Sequence, residues 1–96
     1  MIKEFGYNGN MFCIWKSAKP KYGIVIQYYG NDENVFVPNG MTTVAEYAFC
    51  DNLYIKRLYL PESVKWFHRS AVKGCENLEE IWYKQKGEIK QLKYPW

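Results

Sequence analysis

Ninety-six residues allow one small domain, and a chain that is 48% apolar and 19% aromatic is too hydrophobic to stay disordered. Apolar runs all fall well short of the roughly 18 residues of a membrane span. The net charge of +3 divides into basic ends, +3 over 1–21 and +3 over 84–96, around an acidic middle of −3 over 22–83. One continuous phosphate-tracking stripe is therefore not forced, and nucleic-acid binding is disfavoured.

The start, "MIKEFGYNGNMF", mixes Lys3 and Glu4 with turn residues and has no apolar core of a secretory leader. A cytoplasmic location is the default expectation. Next, "NMFCIWKSAKPKYGIVIQYYG" predicts two strands around a Lys-Pro-Lys turn, an N-terminal cap.

From residue 35 the chain repeats itself. Pro38 and Pro61 are 23 apart, and the same spacing relates Val35 to Leu58, Val37 to Leu60, Met41 to Val64 and Val44 to Phe67. It continues through Ala48 and Ala71, Phe49 and Val72, Ile55 and Leu78, Leu58 and Ile81, and Leu60 and Tyr83. Every matched position is apolar or proline. Leu58-Tyr59-Leu60 and Ile81-Trp82-Tyr83 alternate as short strands do. Proline cannot donate to a ladder, so Pro61 ends its strand. "AEYAF" and "HRSAV" are too short for independent helices and predict single helical turns. One such unit cannot bury its own apolar face, but stacked units share a continuous core.

The units "PNGMTTVAEYAFCDNLYIKRLYL" and "PESVKWFHRSAVKGCENLEEIWY" resemble the BspA-type leucine-rich repeat, P-x-S-V-x-x-I-G-x-x-A-F-x-x-C-x-x-L-x-x-I-x-L. The upstream stretch "IVIQYYGNDENVFV" is similar to the tyrosine-and-glycine hairpin that leads into such arrays. The resemblance implies a leucine-rich-repeat solenoid, with parallel β-strands on one side, short helical turns on the other and an N-terminal β-hairpin cap. It divides one domain, 1–96, into capping strands at 1–34, two repeats at 35–83 and a C-terminal cap or tail at 84–96. Departures from the pattern are Asn52 where Cys75 holds the unit's cysteine place, Ala45 and His68 in place of glycine, and Lys84 in place of the proline of a third unit. The last of these predicts that the array stops there. The tail "KQKGEIKQLKYPW" reads as a hairpin turning at Gly87, with Ile89 and Leu92 packed back on the repeats.

If Leu58 and Leu60 point inward, Arg57 and Tyr59 point outward, and the repeat carries that phase to its neighbours. Phe36, Tyr59 and Trp82 would then form an aromatic column on an open strand face, beside a column of Asn34, Arg57 and Glu80. Exposed aromatics and arginine are the usual anchors of protein interfaces. The competing reading is that the aromatics only support strand pairing and that Arg57 and Glu80 form a plain cross-strand ion pair.

Catalytic and metal chemistry find no footing. His68 and Ser70 are neighbours on one short turn, whereas a hydrolase dyad needs the base to face the nucleophile. Cys50 lacks a paired histidine. Glu76, Glu79 and Glu80 do not have calcium-loop spacing, and "GYNGN" lacks the lysine of a phosphate loop. Three widely spaced cysteines, Cys13, Cys50 and Cys75, suit buried thiols better than disulfides or zinc.

The expectation is a non-enzymatic module without cofactor or metal, binding an unidentified protein partner through the strand face, with a homo-oligomer as a further option. Two other readings stand beside it. One is a nucleic-acid or carbohydrate binder using the aromatic column and the basic tail. The other is a small intracellular inhibitor of a larger enzyme, of the kind mobile elements carry.

Overall fold

The computed structural model describes residues 2–4, 12–17 and 22–93. Among the described residues nine strands form two sheets. The first has five strands: β1 (Ile2–Glu4), β2 (Phe12–Lys16), β3 (Gly23–Tyr28), β5 (Thr43–Val44) and β7 (Trp66–Phe67), in that spatial order. The second has four: β4 (Asn34–Phe36), β6 (Arg57–Leu60), β8 (Glu80–Gln85) and β9 (Glu88–Leu92). Pairings between repeats are parallel, and the additions at each end are antiparallel.

From β3 to β8 the chain crosses between the sheets at every step, so each coil places one strand in each. In the second sheet the 23-residue period is exact: Val35 pairs with Leu58, and Leu58 with Ile81. In the first sheet Val44 pairs with Phe67 at the same period, but Val25 pairs with Val44 at a spacing of 19. A first coil therefore precedes the two legible repeats, and it is shorter by four residues. For the same reason "IVIQYYGNDENVFV" is not a hairpin: β3 and β4 lie in different sheets.

The same hydrogen bonds recur from coil to coil. After each proline the chain turns, with Met41 N–H donating to Pro38 O and Val64 N–H to Pro61 O. At the far corner Lys56 N–H donates to Glu33 O, and Glu79 N–H to Lys56 O. Asp51 and Gly74 occupy equivalent left-handed positions, with φ of 59° and 79°. Glycine adopts that region freely and aspartate is among the side chains that tolerate it. A Cβ at Gly74 would also collide with the Asp51 carboxylate.

The helical turns expected opposite the strands are only partly present. Residues 46–51 form hydrogen-bonded turns without a helix, while Arg69–Val72 is a single 3-10 turn. Short strands β5 and β7 supply the rest of that side, because two residues are enough to continue a ladder already started by a neighbour. Between the sheets lies one core, with Phe12, Tyr28 and Phe49 in mutual ring contact at its N-terminal end. Buried Tyr28 places its hydroxyl on the Asp32 carboxylate, 3.1 Å away.

The tail forms the hairpin β8–β9. Lys86 and Gly87 both have positive φ, 51° and 80°, as a two-residue type I′ turn requires. Only half of its expected packing occurs. Leu92 faces the core opposite Ile81, but Ile89 is 68% exposed. Residues three apart on a strand face opposite ways, so the two could not both pack inward.

Candidate interaction surface

The outward face of the second sheet consists of three rows running across the strands. Asn34, Arg57 and Glu80 make the first, in register at successive strands. Phe36, Tyr59 and Trp82 make the second. Two residues further along, the period gives the third: Pro38, which is buried, then half-buried Pro61 and exposed Lys84, with Ile89 paired to Lys84.

The first row satisfies itself. Arg57 donates from one guanidinium nitrogen to Asn34 Oδ1 at 3.2 Å, and its Nε lies 3.6 Å from Glu80 Oε1. A third contact reaches Glu79 at 3.9 Å. The same Glu80 oxygen accepts the Trp82 indole N–H at 2.9 Å, which ties the charged row to the aromatic one. These half-exposed pairs contribute little net stability, and their chief effect is to orient Arg57 and Trp82. Arg57 is thus a positioned group with its charge already neighboured by carboxylates.

In the second row the Phe36 and Tyr59 rings stack in parallel, with centroids 4.5 Å apart and planes 10° apart. Phe36 is 57% exposed, whereas Tyr59 and Trp82 are half-buried. These rings and the third row surround a groove of about 500 Å³, lined by apolar and aromatic side chains with Asn39 and Lys84 at its margin. Here β6 ends at Leu60 while β8 runs on to Gln85, so the hairpin rises past its neighbours as a wall.

Sequence reasoning missed three contributors. The sequence pattern places Ile89 in the core and marks Lys84 only as the end of the array, although both line the groove. The signal was present in the odd spacing of Ile89 and Leu92. The third omission is a pair of polar donors inside the stack. Asn52 Nδ2 donates to Gly30 O at 3.0 Å, and Cys75 Sγ donates to Phe49 O at 2.9 Å. Asparagine and cysteine at the same repeat position therefore do one job, satisfying a carbonyl of the preceding coil.

Cys75 is half-buried, and burial pushes its thiol up to about 11. The Cys50 thiol is raised too, chiefly by its hydrogen bond to the Asp51 carboxylate. Neither environment activates a thiolate. His68 is exposed at the start of the 3-10 turn and makes no capping hydrogen bond with its side chain. Among the described residues, no three His, Cys, Asp or Glu side chains gather as a metal site would require, and no helix is long and apolar enough to cross a membrane.

No protein-family model matches the sequence, and no curated protein matches it significantly. Solved structures do. A leucine rich cell surface protein from Faecalibacterium prausnitzii A2-165 superposes with a TM-score of 0.72 at 14% identity, over 92% of this chain and 24% of its own. The T. pallidum leucine rich repeat protein matches with a TM-score of 0.65 at 27% identity, over 79% of this chain and 37% of its own. The fold is that of leucine-rich-repeat proteins. The chain spans about a quarter and somewhat over a third of the lengths of these two neighbours.

Proposed function

We propose that this chain is a non-catalytic protein-interaction module, a short leucine-rich-repeat solenoid capped by β1 and β2 at one end and by β9 at the other. It binds a partner through the outward face of the four-stranded sheet. One observation carries the reading: exposed Phe36 stacks on half-buried Tyr59, in register with Trp82, in a groove lined mostly by apolar and aromatic side chains. Aromatic rings in a groove supply large contact area at low entropic cost, which is what interface anchors require. Strand pairing alone explains the register of these rings but gives no use to the exposed Phe36 ring beside an apolar groove. Arg57 and Glu80, held by each other, give the surface a fixed polar border rather than a free charge.

The test is affinity capture from a lysate of the source cell with wild-type protein, Phe36→Ser/Tyr59→Ser/Trp82→Ser and Trp66→Ser. Trp66 is 54% exposed on the opposite sheet and serves as the control aromatic. Circular dichroism first establishes that all three fold. A protein retained by wild type and Trp66→Ser but lost by the triple variant is the expected result. Equal retention by all three would remove the aromatic row from the function.

A further inference from the structure

Lys84 stands in the third row, two residues beyond Trp82, where Pro38 and Pro61 stand in the coils before it. Those prolines turn the chain away from the sheet, whereas lysine lets β8 continue into the hairpin. One residue therefore ends the array and also places a cation on the wall of the groove, beside Ile89 and level with the aromatic floor. Its ammonium makes no hydrogen bond or ion pair among the described residues. Arg57, by contrast, is already flanked by Asn34, Glu79 and Glu80. Lys84 is thus the charged side chain that lines the groove, while the carboxylates of this face lie at the strand starts beside Lys56 and Arg57. The hairpin turn adds Lys86 near that same end.

We propose that the groove takes a peptide segment of a partner protein. A proline, aliphatic or aromatic side chain of that segment sits on Phe36, Tyr59 and Trp82, and an aspartate or glutamate close by in the segment pairs with Lys84. This deepens the interaction-module reading and rests on it. A basic peptide would meet Lys84 with like charge, and a wholly apolar one would leave that ammonium partly desolvated without a partner.

The experiment pans a random dodecapeptide phage library on the full chain. The selected peptides are then synthesised and titrated by fluorescence anisotropy against wild type, Tyr59→Ser, Lys84→Glu and Lys84→Gln. Lys84 is exposed, and circular dichroism first establishes that each variant folds as the parent does. Expected are peptides in which Asp or Glu lies within a few residues of Pro, Leu or an aromatic residue. Their affinity falls roughly tenfold on Lys84→Glu, less on Lys84→Gln, and is partly restored when the peptide's acid is changed to lysine against Lys84→Glu. Peptides that need Tyr59 but show no acidic preference and no response at Lys84 would overturn the inference while leaving the interaction module standing. No selected peptide, or only peptides indifferent to Tyr59, would overturn both.

Discussion

Coils 38–60 and 61–83 share a backbone plan and differ in what surrounds them. Met41, Val44, Ile55 and Leu60 are buried in the first of the two; their equivalents Val64, Phe67, Leu78 and Tyr83 are only partly so. The residue types hardly differ in hydrophobicity. Burial here is set by place in the stack, because the middle coil has a neighbour on both sides and the last has β9 on only one of its two sheets. The remaining edge, β7, is two residues long and is preceded by Lys65. Short edges bearing charge resist pairing with other chains.

The largest test of that comparison deletes equivalent side chains. Ile55→Ala should cost about 3 kcal/mol in urea unfolding and Leu78→Ala about half as much, since the second site is already part solvated. Equal costs would mean that the end of the stack is covered after all. Gly74→Ala should lose about 2 kcal/mol, combining a left-handed backbone with a collision at Asp51. The reciprocal Asp51→Gly should change stability by only a few tenths of a kcal/mol. In the cap, Leu92→Ala should cost roughly 1–2 kcal/mol and Ile89→Ala almost nothing, which denaturation of the two variants side by side would measure.

The finest comparison concerns the shared donor position. Folding raises the Cys75 thiol from its ordinary value of 9.0 to about 11, so the folded state holds the proton more tightly than the unfolded one. Its contribution to stability is complete below about pH 9 and is lost as the pH rises towards 11. Cys75→Asn imports the other coil's donor, which does not titrate. It should keep the stability at pH 7 and flatten this alkaline loss, as denaturant midpoints across pH 8–11 would show.

Much of this architecture was legible because one arithmetic relation governs it. A spacing of 23 is also the ladder register of β4, β6 and β8, so the rows of Asn34, Arg57 and Glu80 and of Phe36, Tyr59 and Trp82 could be placed in advance. A fixed period cannot find a coil of another length, which is why β3 was assigned to a hairpin rather than to the first coil. The second sheet-forming position also escaped, since Thr43–Val44 and Trp66–Phe67 are too short to carry an alternation. At the groove, the floor was visible as a periodic column, but the wall depends on Lys84 breaking the period. A repeat search records such a residue as an exception rather than as a part.

The recurrence of backbone hydrogen bonds at 23 residues also has a genetic side. An in-frame duplication of the codons for residues 61–83 would insert one more coil ahead of Lys84, with its own proline, tryptophan and glutamate already in register. The terminal hairpin would be carried along intact, and the groove would lengthen by one strand spacing, about 4.8 Å. The reach of this surface is therefore a quantity that copying errors can change in whole steps.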